Sequence, residues 1–282
     1  MQLYSQKHGS MLCPNCNRLI SINSEKCIHC GYQQPAMWGF APLLKNIFGQ
    51  INMVSGVIIF SAAIFILSLL LDPVKISFSI SLFDFLAPDT LSLYRLGATG
   101  SIAISEGRWW TLITAIFLHG NILHIGMNML WIRQLWNPVE ELFGVSRVII
   151  IYIFAGFLGF VLSTLWNINA PHITLGASGS LFGLLGALVA YGRKRGGSFG
   201  QAIFQQMLYY AAVLLFMGFM MPRVDNSAHI GGFIGGYLGA LILGYNEHRP
   251  ESRWHLLIAI GLILLTFFSF GYNIYEIILA KL

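Results

Sequence analysis

Apolar stretches of about 17 to 25 residues, the length a helix needs to cross a bilayer, recur along this chain. They lie at residues 53–71, 116–136, 145–166, 176–192, 203–221, 228–246 and 255–279, and each holds few charges or none. Most of the connections are short, so the pattern predicts seven transmembrane helices packed in one bundle. The exception is the segment 72–115, where Phe, Leu and Trp alternate with scattered charges and Gly/Pro breaks. It reads as a loop lying on or in the membrane interface, with Trp109 and Trp110 at headgroup depth.

Composition agrees with the pattern. Hydrophobic residues make up 56% of the 282 and charged residues only 10%, where a soluble domain carries about 25% charged residues. The net charge of +5 is what basic cytoplasmic loops produce, and no nucleic-acid partner is expected. With the N-terminus in the cytoplasm, eleven of the 16 Lys and Arg fall inside, Arg133, Arg147, Arg193, Lys194 and Arg195 among them. Lys75, Arg95, Arg108, Arg223 and Lys281 fall outside. The expected topology is therefore N-terminus in, C-terminus out. No cleavable signal peptide is visible: the first apolar stretch begins near Met53 without a small-residue cleavage site, and is expected to stay as a helix.

Under this topology the second, fourth and sixth spans all enter from the outer face, and these three carry the unusual polar groups. The second contains "LHGNILHIGMNML" with His119, His124 and Asn128, the fourth opens on "GASGSLFG" with Ser178, and the sixth opens on "SAHIGGFIGGYLGA" with His229. Polar side chains are costly in a bilayer and tend to face the bundle interior, where they mark a site. His124 and Asn128 are four apart and share a helix face. His229, Gly232, Gly236 and Ala240 form one smooth stripe, and Gly179, Gly183 and Ala187 another, so the fourth and sixth helices can approach until Ser178 meets His229. A serine hydroxyl is a weak nucleophile until a base takes its proton, and His229 is the base available. Asn128, His124 and the Ser178 backbone N–H are the candidate donors for an oxyanion. Asp225, the nearest acid in sequence, lies before the sixth span, so the reading is a Ser/His dyad, with Phe182 one turn after Ser178 stacking on His229.

These residues resemble the rhomboid intramembrane serine proteases. "GASG", "AHIGGFIGG" and "LHGNILHIGMN" match the family's nucleophile, base and oxyanion segments in order, and "GRWW" stands in the long loop before the second span. The likeness covers roughly residues 50–245. It implies an intramembrane endopeptidase that cleaves membrane-protein substrates near the outer end of a transmembrane segment. On that resemblance Ser178 is the nucleophile, His229 the general base, and His124 and Asn128 the oxyanion donors, with Gly176, Gly179, Phe182 and His119 in support. No cofactor is implied for catalysis. Phe182 stands where many bacterial relatives have Tyr, Thr111 follows the tryptophan pair where an arginine is common, and Glu140 matches a family glutamate of structural role. The expected setting is a bacterial cell membrane, with the site opening to the outer face.

All four cysteines lie in "CPNCNRLISINSEKCIHC": Cys13, Cys16, Cys27 and Cys30. Two C-x-x-C pairs suit a tetrahedral zinc of four thiolates, and a cytosolic location disfavours disulfides. This predicts a minimal structural zinc ribbon and a docking or regulatory module for a cytosolic partner. The expected fold class is thus an all-α polytopic membrane protein, with a rhomboid-like bundle of six core helices plus one C-terminal helix. Its divisions are a zinc-ribbon-like module at 1–34, a linker at 35–52, the six-helix core at 53–246 and the additional helix at 247–282.

Two other classes fit less well. A transporter would show internal repeats or paired broken helices. A metalloprotease of the H-E-x-x-H type is excluded by the absence of that motif, and His119 and His124 are five apart on different faces. A non-proteolytic rhomboid-like client-binding factor is the nearer alternative, but such proteins typically lack the serine or the histidine.

Overall fold

The computed structural model describes residues 9–13, 16, 18–31, 35, 52–81, 84–221, 223–247 and 251–279. The chain divides into two units, residues 1–56 and 57–282. In the first, strands β1 (Ser10–Leu12) and β2 (Leu19–Ser21) pair antiparallel, with Met11 opposite Ile20. Strand alternation turns Ile20 inward between exposed Leu19 and Ser21, and it packs with Cys13 and Cys27 in a very small core. The linker expected at 35–52 lies almost wholly outside the described residues.

The remainder is helical, an all-α polytopic membrane fold. After helix α1 (Met53–Leu71) comes the long connection, which is more ordered than its sequence pattern foretells. It holds a short hairpin of β3 (Ser77–Phe78) and β4 (Phe85–Ala87), then helices α2 (Thr90–Leu96), α3 (Ser101–Ser105) and α4 (Thr111–Thr114). Helices α5 (Ile122–Phe143), α6 (Val145–Trp166), α7 (Ser178–Arg195), α8 (Gly197–Met220), α9 (Asn226–Leu243) and α10 (Arg253–Leu279) follow. The tryptophan pair diverges: Trp109 is 62% exposed, whereas the Trp110 indole is hydrogen-bonded to Asn273.

Four helices, α1, α6, α8 and α10, are each long and apolar enough to span a membrane. The span expected at 116–136 is instead broken. A short helical piece, Thr111–Phe117, meets α5 at 90°, and Leu118–Asn121 forms the break because the Asn121 side chain caps α5 by accepting the His124 N–H at 2.7 Å. Helices α7 and α9 are not among the four, α7 because it ends on Arg193, Lys194 and Arg195, and α9 because it is rich in glycine and opens on polar residues. They are nevertheless the centre of the bundle: fourteen of the 18 residues of α7 are buried, against three of the 24 of α8. The outward faces of α8 and α10 present Phe216, Phe219, Leu264 and Phe268 to their surroundings, the apolar exterior a lipid-facing helix requires.

Candidate active site

Ser178 is the first residue of α7, and the chain reaches it through Gly176 at φ +125°, a left-handed conformation that glycine adopts without strain. Two contacts hold this approach. Thr174 exchanges backbone hydrogen bonds with Thr99 at 2.7 and 3.0 Å, and the Gly176 N–H donates to the Ala115 carbonyl at 2.8 Å. Asp225 caps α9 by accepting the Ala228 N–H at 3.0 Å, which starts the helix one turn before His229. The His229 Nε2 then lies 2.9 Å from Ser178 Oγ. The imidazole is stacked on Phe182, with ring centres 4.3 Å apart and planes 14° from parallel.

Helix proximity makes this contact. A side chain at Gly232 would collide with the Gly179 carbonyl, and one at Gly236 with the Gly183 carbonyl, so both paired stripes are used as backbone-to-backbone surfaces. A third small surface escaped sequence reading: Ala155 and Gly159 of α6 lie against Gly183 and the Ala228 carbonyl. Its signal was present as the small-x-x-x-small spacing of "AGFLG".

Helix α5 delivers the remaining polar groups. His124 Nδ1 accepts the Gly120 N–H at 3.4 Å, which leaves the proton of a neutral ring on Nε2. A methyl group at Gly176 would lie 2.7 Å from that Nε2 and 3.8 Å from Asn128 Nδ2, so both donors converge on the strand leading into Ser178. Asn128 Nδ2 is buried and has no hydrogen-bond partner among the described residues. His119 is fully buried and sets its ring edge-on to His124, with centres 5.1 Å apart.

No acid completes a triad, because His229 Nδ1 finds no partner among the described residues. Asp225 is otherwise engaged: it accepts hydrogen bonds from the Ser163 and Ser227 hydroxyls and stands 3.7 Å from His172 Nε2. Burial opposes charge on its carboxyl most strongly, yet the bonds from Ser163, Ser227, Thr174 and Ala228 together hold it below its ordinary value. Sequence reading weighed Asp225 only as a triad member and missed this role. Glu140, the matched glutamate, accepts the Trp136 indole N–H at 2.7 Å. Beside the dyad an apolar groove of about 300 Å³ runs between α8 and α9, lined by Phe182, Leu208, Ala211, Leu215, His229 and Phe233.

The four cysteines of the first unit also converge. Their sulfurs all lie within 4.8 Å of one another, with Cys13 to Cys30 at 3.7 Å and Cys16 to Cys27 at 3.8 Å. None is in a disulfide. They could hold one metal ion.

Comparison with known proteins settles what the bundle is. The Rhomboid domain model matches residues 106–246, half of the chain. The chain belongs to the rhomboid family. It is 35% identical over 177 residues to Rhomboid protease GluP of Bacillus subtilis (strain 168), a match covering 63% of this rhomboid and 34% of that protein. RHOMBOID-like protein 5 of Arabidopsis thaliana is 35% identical over 166 residues, covering 56% and 52%. Putative rhomboid protease YdcA of Bacillus subtilis (strain 168) is 28% identical over 169 residues, covering 60% and 84%. The match spans from about a third to somewhat over half of the length of the first of these relatives. Every helix that contributes to the Ser178 site after the break at Asn121 falls inside the matched segment.

Proposed function

We propose that this rhomboid is an intramembrane serine endopeptidase that hydrolyses peptide bonds in or near the transmembrane segments of membrane proteins. The observation that carries the reading is the 2.9 Å contact between Ser178 Oγ and His229 Nε2, made between residues 51 apart on two helices. His229 takes the hydroxyl proton as Ser178 Oγ attacks the scissile carbonyl carbon. The oxyanion of the tetrahedral intermediate faces His124 Nε2–H, Asn128 Nδ2–H and the Ser178 backbone N–H, which lies at the positive end of α7. His229 then gives the proton to the leaving amine as the C–N bond breaks. Water, activated by the same imidazole, hydrolyses the acyl ester and restores Ser178. Phe182 holds the imidazole plane in place of a third polar member.

Helix α7 has 18 residues and so extends about 27 Å, slightly less than the ~30 Å hydrocarbon core. Ser178 at its start therefore sits just below one membrane face. The opposite end of α7 carries Arg193, Lys194 and Arg195, which supports a cytoplasmic side there and a site open to the outer side. A helical substrate must unwind to offer its carbonyl to Ser178, so segments weakened by small residues are favoured, and the groove beside Phe182 takes apolar side chains. In the first unit Cys13, Cys16, Cys27 and Cys30 would hold a structural zinc. Edges of 3.7 and 3.8 Å match those of a tetrahedron with Zn–S of about 2.3 Å. The module serves a cytosolic partner or regulator.

Reconstitution with a single-pass reporter in proteoliposomes tests the reading. The wild type cleaves the reporter, and Ser178→Ala and His229→Ala do not. Reporter that is bound but never cut by a folded wild type would overturn it in favour of client binding. Deleting residues 1–40 tests the module, which has no regulatory role if turnover, abundance and partner capture are all unchanged.

A further inference from the structure

The C-terminal helix α10 lies outside the segment that the family model matches, yet one of its side chains is tied into the approach to Ser178. Asn273 is fully buried. Its Oδ1 accepts the Trp110 indole N–H at 2.7 Å and an Arg108 guanidinium N–H at 3.2 Å, while its Nδ2 donates to the Leu96 carbonyl at 2.9 Å. Three parts of the long connection thus meet on one carboxamide: the end of α2, the turn before α4, and α4's own cap. Neighbours on α10 reinforce it. Glu276 is 3.6 Å from Arg108, and Tyr272 packs edge-on to Trp110 with ring centres 4.6 Å apart. Arg108, one residue before the tryptophan pair, also donates to the Tyr94 carbonyl at 2.9 Å and lies over the Tyr94 ring. Thr111, which follows the pair, bonds within the connection instead.

From this node the contacts continue to the site without a gap. Gly97 follows Leu96 at φ +109°, and its carbonyl accepts the Thr114 hydroxyl at 2.8 Å. Thr111 Oγ1 and Thr99 Oγ1 are 2.9 Å apart. Thr99 is the partner of Thr174, and Ala115, next to Thr114, accepts from Gly176. Two residues later comes Ser178.

We infer that Asn273 is a positioning residue, through which α10 clasps the connection of residues 94–115 and so holds the strand Thr174–Gly176 in register beneath Ser178. The inference rests on Ser178 being the nucleophile only for its activity readout. Removing the carboxamide leaves the Leu96 carbonyl and two donors unpaired in a buried place. The approach to Ser178 then loosens, and a nucleophile displaced by a fraction of an ångström loses rate while substrate binding in the groove persists.

The test uses the full-length protein in detergent, comparing wild type, Asn273→Ala, Asn273→Asp, Trp110→Phe and, as a lipid-facing control on the same helix, Leu264→Ala. Two readouts are taken on each: the rate of Ser178 labelling by a fluorophosphonate, and amide hydrogen exchange by mass spectrometry. Asn273→Ala is expected to slow labelling by about ten- to a hundredfold and to speed exchange at both 96–115 and 174–178, with exchange at α8 and α9 unchanged. Asn273→Asp keeps both acceptor bonds but sets a carboxylate oxygen, which cannot donate, against the Leu96 carbonyl, and should recover only part of the rate. Trp110→Phe, which removes one donor, should move both readouts less in the same direction. Unchanged exchange at 174–178 together with wild-type labelling in Asn273→Ala would overturn the inference. Exchange that rises over the whole bundle would also overturn it, since that is a loss of folding and not of register. If the wild type itself is not labelled, the nucleophile reading fails, and the exchange at 174–178 alone decides the clasp.

Discussion

The two regions that carry chemistry in this chain assemble it by opposite means. Around Ser178 the polar groups come from helices far apart in sequence, and close helix packing brings them together: α7 is buried over fourteen of 18 residues, with Gly232 and Gly236 seated on the carbonyls of Gly179 and Gly183. Within a bilayer the lipid tails are as apolar as leucine, so close approach and dispersion replace the hydrophobic drive, and the missing Cβ atoms are the device. Among its described residues the four-cysteine unit has little to pack. Its core is Cys13, Ile20 and Cys27 with Met11 and Cys16 against it, far below what a domain needs to fold unaided. On the proposed reading its four sulfurs are held together by a bound metal ion. A site made by packing tolerates loss of any ion and fails at one added methyl; a site made by coordination does the reverse.

The strongest break of this contrast is steric. Gly236→Leu drives a side chain into the Gly183 carbonyl and should separate α9 from α7, lowering reporter cleavage by about a hundredfold or more. Gly261→Leu, on a part of α10 with open space around it, should leave cleavage near wild type. Chelation is the converse experiment. A strong zinc chelator should strip one metal per chain and abolish amide protection over residues 9–31, as metal-dependent small domains behave, while labelling of Ser178 stays unchanged. Asn128→Ala removes one oxyanion donor without adding bulk and should lower kcat by roughly 10²- to 10³-fold with little change in KM. The smallest effect concerns the cap of α9. Asp225→Ala should cost about 1 kcal/mol of stability at neutral pH. Because the Asp225 carboxyl is held below its ordinary value, its contribution is complete at neutral pH. It is lost as pH falls from about 4 through that lower value. Thermal melts in detergent should show the acid-side decline weakened in Asp225→Ala.

Much of the site was legible because its rules are local and periodic. Ser178, Phe182 and Gly183 declare one face of α7, and His229, Gly232 and Gly236 one face of α9, and helical spacing is enough to set the two faces together. The break before α5 was hidden because "TAIFLHGNILH" is apolar on both sides of the turn; only the cap at Asn121, a matter of one side-chain bond, bends the chain. The α6 stripe at Ala155 and Gly159 sits in a helix so uniformly apolar that small residues do not stand out as a surface. Asn273 was invisible for a different reason. A lone asparagine in the last span has no sequence-local partner, and the groups that satisfy it, at Leu96, Arg108 and Trp110, lie more than 160 residues away. Long-range polar pairing leaves no period to read.

The central claim is that Ser178 is made nucleophilic by His229 across the packed faces of α7 and α9, and not by a bound ion. Intact-mass analysis of the purified chain after fluorophosphonate treatment, with and without prior chelation, measures this directly. The account predicts one adduct per chain, mapped to Ser178, equal in both conditions and absent from His229→Ala and Ser178→Ala. An adduct on another residue, wild-type labelling of His229→Ala, or labelling abolished by chelation would contradict it.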